Sequence, residues 1–381
     1  MYASQHRILT THVGSLPRSR AVTDVVFAQE NGESPSDADR IVADAVAEVV
    51  RRQTETGIDL VSDGEMSKIS YATYIKDRIT GFDGDSERRP PSDLEEFPGF
   101  LKRQASSGGT PSYRRPCCVA DIRVKDMQPV ADDLANLKTA TDRYKPAGAF
   151  MNAASPGVIA LFQPNKHYAT HEAYLEALAD AMSHEYKAIA DAGVVLQLDS
   201  PDLGLGRHML FKDKTDEEYT ELANLHVDAL NHALAGIPKD MVRLHVCWGN
   251  YEGPHHHDAP MELVLPVALR ANVGALLFET ANPRHAHEWQ VFADTTLPDD
   301  LTLVPGVIDS TTNFIEHPKL VAERICRYAD IVGRDRVVAG TDCGFSTFAG
   351  FGAVDEDIVY AKLGSLVAGA KIASEQLWST S

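Results

Sequence analysis

The stretch THEAYLEALADAMSHEYKAIADAGVVLQLDS, residues 170–200, holds one unit of the fold. Thr170 reads as the N-cap of a helix running to Ala192, because a side-chain oxygen at that position accepts a hydrogen bond from an otherwise orphaned amide of the first turn. The apolar run Val194 to Leu198 follows as a strand. The same alternation recurs along the chain, with further strands expected at Ile8 to Val13, Asp59 to Ser62, Ala147 to Ala153, Val242 to Val246, Ala275 to Phe278, Leu303 to Val307 and Val337 to Ala339. Asp37 to Thr56 carries Ile41, Val42, Ala45, Val46, Val49 and Val50 at helical spacing, and similar helices precede Val242 and follow Pro318. Eight strands with intervening helices predict an α/β protein, a closed (β/α)8 TIM barrel, although a doubly wound open sheet leaves much the same local pattern.

One segment breaks the rhythm. Residues 81–116 include GFDGDSERRPPSDLEEFPGF and QASSGGTPSYRRP, rich in Pro, Gly, Ser and charge, and read as an irregular excursion inserted over the barrel mouth. Residues 1–381 are otherwise read as one barrel domain. A second irregular loop, GNYEGPHHHDAP, begins just after the expected fifth strand.

With 381 residues and 44% hydrophobic content the chain can bury a large core. Its formal charge of -19 repels nucleic acid and anionic lipid, so neither is an expected partner. No apolar stretch approaches the roughly 20 residues a membrane helix needs, and the first residues, MYASQHRILTTHVGS, lack the apolar run of a signal peptide. Five scattered cysteines suit a reducing compartment better than a disulfide framework, and the expected location is the cytoplasm.

In a barrel the carboxyl ends of all strands converge on one face, and here those ends hold the unusual residues. RLHVCWGN places His245 and Cys247 two apart, so both point to the same side of a strand. LLFETAN puts Glu279 at the next strand end, and VVAGTDCGFS puts Cys343 beyond the last. Two thiolates, an imidazole and a carboxylate at one barrel end make a tetrahedral zinc (Zn2+) site the natural expectation.

The motifs LTTHVGSLPRS, SDGE, QLDSPDLGLG, RLHVCWGN, LFETAN, VPGVID and GTDCGFST stand in an order that resembles the catalytic domain of cobalamin-independent methionine synthase, from about Ile8 to Leu377. The resemblance implies a (β/α)8 barrel in a compact single-domain form and places the family's zinc ligands on His245, Cys247, Glu279 and Cys343. It implies transfer of a methyl group to a thiol, most directly homocysteine to give methionine. The acceptor's carboxylate is then expected at the loop Val13, Gly14 and Ser15, and its ammonium at the carboxylates of Glu65 and Asp199, the two residues assigned a catalytic role.

The donor side departs from the folate-using members. Leu205 stands where they carry an acid, Thr311 where they carry a proton-donating His, and Ser200 where an acid follows the match to Asp199. Phe162 takes the place of the Trp that stacks the pterin. The expected donor is therefore open between a methylated folate and other carriers, including methylcobalamin on a partner protein. A related branch opens small epoxides with coenzyme M, whose thiol has no ammonium group; Glu65 and Asp199 favour homocysteine instead. A zinc hydrolase would want more His ligands, and a non-catalytic zinc-binding barrel would keep its metal closed to thiols.

Other residues carry plainer expectations. Three adjacent histidines, His255 to His257, followed by Asp258, cannot all face one ion, and no second metal is assigned there. His12 lies beside the acceptor loop, with a substrate contact and a packing role equally open. Tyr113 and Arg114 fall near the family's donor contacts, just before Cys117 and Cys118, and Cys326 is expected in the core.

Overall fold

The computed structural model describes residues 2–87, 90–106 and 114–379. Its main sheet has eight strands: β1 (Leu9–Thr10), β2 (Leu60–Val61), β3 (Gly148–Ala154), β4 (Val195–Asp199), β5 (Val242–Val246), β6 (Ala275–Phe278), β7 (Thr302–Ile308) and β8 (Val338–Thr341). Each pairs in parallel with its neighbours in sequence, from β2 through β8, and β8 pairs with β1. The seam between β1 and β2 is closed by the Asp59 amide donating to Thr10 O at 3.2 Å and the Thr11 hydroxyl donating to Leu60 O at 3.2 Å. Helices surround this nearly closed barrel, which decides against the open sheet.

The opening unit forms as its sequence predicts. Thr170 Oγ1 accepts from the Ala173 amide, the helix runs His171–Asp191, and β4 follows. The helix of residues 38–56 ends at Gly57, whose φ of 97° lies in the left-handed region that a residue without Cβ enters freely. β1 is shorter than expected because the Val13 amide leaves the ladder for Thr341 Oγ1 at 3.2 Å.

The barrel interior is layered, as strand alternation requires. Inside it, Leu60, Phe150, Val195, Ala275, Leu277, Val304 and Val338 form an apolar cluster that Val13 extends to the cavity. Two residues on from Phe150 and Val195, Asn152 and Gln197 are in register with each other, and Gln197 is in register with Arg243. The buried Arg243 guanidinium donates to Gln197 Oε1, Thr11 Oγ1 and His12 O at 2.9, 3.1 and 3.1 Å and lies 3.6 Å from the centre of the Phe150 ring. One further step along the strands come Asp199 and His245, again in register. Polarity thus rises toward the carboxyl ends, where the chemistry was expected.

The described residues of the excursion reach over this end. Phe82–Asp83 pairs antiparallel with Cys117–Cys118, and short helices cover Ser92–Glu95 and Pro98–Ser106. No helix among the described residues is long and apolar enough to cross a membrane.

Candidate active site

A cavity of about 350 Å³ opens at the carboxyl ends of the strands. Its floor includes Val13, Ser15, Glu65, Asp199, His245, Cys247 and Cys343; its upper wall includes Tyr71, Phe162, Leu205, Met209 and Phe348, and the excursion contributes Pro90, Pro91, Leu94 and Leu101.

On the floor, ligand atoms of His245, Cys247 and Cys343 lie within 4.8 Å of one another, all three residues buried. β5 and its end supply the first two, and the turn after β8 supplies Cys343. The thiols are unequal: the Cys343 thiol donates toward Cys247, so the Cys247 pKa falls well below that of an ordinary thiol while Cys247 pushes that of Cys343 well above it. Burial opposes protonation of His245, but the neighbouring Cys247 sulfur and the Asp199 carboxylate outweigh it and raise the imidazole pKa. Neither His245 ring nitrogen makes a hydrogen bond. Glu279 stands aside from the trio, with Oε1 accepting the Trp248 amide at 2.9 Å and Oε2 accepting Asn282 Nδ2 at 2.7 Å. Burial and the nearby Cys247 and Asp342 hold its pKa well above the carboxylic-acid range.

Such a cluster sets two sulfurs, an imidazole and a carboxyl group side by side in a buried place, and a cation is what would let the sulfurs and the carboxyl ionise together. Soft sulfur, imidazole and carboxylate donors suit zinc, and the unpartnered His245 nitrogens match a ligand role. Asp342 fixes the loop that carries Glu279: Oδ1 accepts the amides of Thr280 and Ala281, each at 2.8 Å, and Oδ2 accepts that of Asn282 at 2.9 Å.

Beside the cluster two buried carboxylates face the cavity. Asp199 accepts from Asn152 Nδ2 at 2.9 Å and Gln197 Nε2 at 3.0 Å, and both amides also donate to Val13 O. Burial raises its pKa against the pull of His245 and these donors. Glu65 is held at a φ of 58° by its amide donating to Asp63 Oδ1 and by the Arg18 guanidinium gripping its carbonyl. Its Oε2 has no partner, and burial pushes its pKa up to about 7, with Lys68 opposing the shift and Asp199 adding to it. Gly14, at a φ of 145°, lies against Asn152, whose side chain would sit 2.3 Å from an added β-carbon. A β-carbon there would collide with the Asn152 side chain that ties Val13 O to Asp199.

The remaining expectations sort by position. Phe162 lines the wall, edge-on to Tyr71 at 5.7 Å, with the Arg115 guanidinium 5.3 Å from its ring centre. Leu205 lines the wall too, whereas Thr311 caps its own turn by hydrogen bonds to Asp309. Ser200 is buried, its amide donating to His245 O at 2.8 Å. His12 does not line the cavity: it bonds Gln53 at 2.6 Å and packs on Phe150, and burial lowers its pKa to about 4, which makes it a neutral packing residue. Arg114 pairs with Asp83 at the surface, and Tyr113 lies outside the described residues. Cys117 and Cys118 are buried in the antiparallel ribbon. Cys326 is half-buried in the seam between two helices, its thiol donating to Gln376 Oε1 at 3.4 Å.

Residues 8–356 match the model of the family described as cobalamin-independent synthase, catalytic domain. The chain belongs to that family. Among its relatives, the methionine synthase of Saccharolobus solfataricus is 25% identical over 374 residues, covering 97% of this chain and 95% of the relative. That of Sulfolobus acidocaldarius is 24% identical over 372 residues, with 97% and 93% covered. The fold matches that of a B12-independent methionine synthase from Shewanella sp. W3-18-1, solved in complex with selenomethionine, at a TM-score of 0.74 and 19% identity over 98% of this chain and 99% of that one. A putative vitamin-B12 independent methionine synthase from Listeria monocytogenes gives a TM-score of 0.64 at 19% identity, with 96% and 98% covered.

Sequence reasoning missed the supports of this site: Asn152, Gln197, Asp342, Asn282 and Trp248. A signal was there for the first two: each is a polar residue within an apolar run, and Gln197 shares the parity of Asp199 two residues on.

Proposed function

We propose that the chain is a zinc-dependent S-methyltransferase that passes a methyl group to the thiol of homocysteine, giving methionine. One observation carries the reading: a buried sulfur and imidazole cluster shares its cavity floor with two buried carboxylates, one of which has an unpartnered oxygen. The first is chemistry for a sulfur atom, the second for an ammonium group. The methionine synthase relatives support methionine as the product.

Glu65 and Asp199 would receive the acceptor's ammonium in charge-assisted hydrogen bonds, which also favours ionised Glu65 over the neutral form that burial promotes. Because the Val13 amide is already given to Thr341, the acceptor's carboxylate falls to the amides of Gly14 and Ser15. Held at both ends, homocysteine can place its sulfur only toward the cluster. His245, Cys247 and Cys343 would hold zinc, with Glu279 as the fourth ligand that yields to the incoming thiol. A bound zinc ion supplies the positive charge that keeps the acceptor thiol deprotonated and nucleophilic near neutral pH. The acceptor sulfur then attacks the methyl carbon as the bond to the donor's leaving group breaks.

Phe162, Leu205 and the other wall residues would meet the donor. This apolar wall favours a carrier with a flat or apolar face over a highly charged one, consistent with a methylated folate or with methylcobalamin on a partner protein. The same wall fits a small alkyl electrophile, as in the epoxide-opening branch, but two buried carboxylates disfavour that branch's sulfonate thiol.

Kinetics on two thiols test the reading. Losing one partner of a buried charge pair costs about 2–5 kcal/mol, so Asp199→Asn should lower kcat/KM for homocysteine roughly thirtyfold or more. Turnover of coenzyme M, which has no amine, should change little. A wild-type preference for the amine-free thiol contradicts the homocysteine assignment.

A further inference from the structure

The His255 to Asp258 run does not behave as one exposed tract. His255 sits in the left-handed region at a φ of 53°, with its ring turned inward, Nδ1 on Asp258 Oδ2 and Nε2 on Tyr251 O, both at 2.9 Å. That turn sends the next two rings outward together. His256 Nε2 lies 3.0 Å from Glu96 Oε2 and His257 Nε2 lies 2.5 Å from Glu96 Oε1, with the ring centres 4.1 Å apart. Glu96 comes from the excursion, and both histidines come from the loop after β5.

We propose that Glu96, His256 and His257 form a second, surface binding site for a divalent transition metal, one that fastens the excursion to the β5 loop. The three ligand atoms already lie within 4.8 Å of one another. Metal bonds of about 2.0–2.2 Å place neighbouring tetrahedral ligands roughly 3.3 Å apart, so small side-chain shifts complete the site. Two imidazoles and one carboxylate suit zinc, cobalt, nickel or copper ions, leaving the other positions to water. The two histidine side chains keep 36% and 39% of their surface exposed, so an ion can reach them.

The two segments are already joined beneath the site. The fully buried Asp93 accepts the Tyr251 hydroxyl on both carboxylate oxygens at 2.9 Å and the His255 amide at 2.9 Å. The ligands therefore need not be gathered from independently moving loops, which lowers the entropic cost of binding. Leu94, two residues before Glu96, lines the cavity wall. A metal bound here clamps that wall from outside.

Cobalt titration with absorption spectroscopy separates this site from the buried one, because only the buried site offers thiolates for a sulfur-to-metal charge-transfer band. Wild-type chain should bind about two ions, one with that band and one without. A His256→Ala/His257→Ala double variant, shown by circular dichroism to be folded, should keep the ion with the band and lose the other. Cys343→Ser should do the reverse, so failure of the buried site and failure of the surface site read out separately. Trypsin cleavage at the exposed Lys102 should slow several-fold on adding metal to the wild type and not to the double variant. Equal ion counts in wild type and double variant overturn the site. Cleavage that the metal does not slow in the wild type overturns its fastening role.

Discussion

The floor and the wall of the cavity are built by different physics. On the floor the side chains that frame the site have named partners: Asp199 is clamped by Asn152 and Gln197, Glu279 by Trp248 and Asn282, and the loop behind Glu279 by Asp342, while the His245 ring and Glu65 Oε2 are left open to what binds. The wall is made of rings and aliphatic side chains from Tyr71, Phe162, Leu205 and Met209, with Leu94 from the excursion. Hydrogen bonds are directional and costly to leave unmade, so the floor specifies atoms in place. Apolar contact is non-directional, so the wall specifies a shape. Recognition of the acceptor thus rests on individual residues, and recognition of the donor on the ensemble of surfaces that face it. Of the four donor-side departures from the folate-using members, Leu205 and Phe162 fall on the wall, whereas Thr311 and Ser200 do not line the cavity.

If this division is right, substitutions on the floor should cost far more than those on the wall. Cys343→Ser should have the largest effect, lowering zinc affinity by at least about a hundredfold and taking thiol-alkylating activity below detection. Metal analysis after gel filtration would read the loss, and a fully metallated, active variant would break the comparison at its base. Asn282→Ala should come next. It frees the Glu279 carboxylate from its 2.7 Å hydrogen bond, and removing such a support lowers metal affinity roughly 10- to 100-fold. Competition with a chromophoric chelator measures it. Phe162→Ala should be the mildest, since an aromatic contact contributes about 0.5–1.5 kcal/mol. It should raise the KM for the methyl donor roughly two- to tenfold and leave that for homocysteine unmoved. A larger effect on homocysteine than on the donor would mean that wall and floor are not separable.

How legible these regions were in the sequence follows the same line. The barrel was readable because each strand is a short apolar run and each helix keeps its own period, and the Thr170 cap falls where it was expected. The cluster was readable because His245 and Cys247 point to one side at a strand end and Cys343 lies just beyond the last strand, so one topological rule brings them together. The strand ends of β1 were less clear, since the Val13 amide turns to a side chain hydroxyl that no local pattern announces. Asp93 was hidden for a stronger reason: it lies in a Pro-rich, charged segment that reads as solvated, yet it is fully buried because Tyr251 and the His255 amide, more than 150 residues away, satisfy it. His12, adjacent to the acceptor loop in sequence, points instead to Gln53. Periodicity reports which face a residue takes, whereas the partner of a polar group depends on long-range packing.

In the proposed reaction the floor cluster holds zinc and admits a thiol. X-ray absorption at the zinc edge, recorded on the purified holoprotein with and without homocysteine, tests it most directly. Zinc bound by two sulfurs, one nitrogen and one oxygen should exchange the oxygen of Glu279 for a third sulfur at about 2.3 Å when homocysteine is added. A zinc shell that homocysteine leaves unchanged would contradict the account.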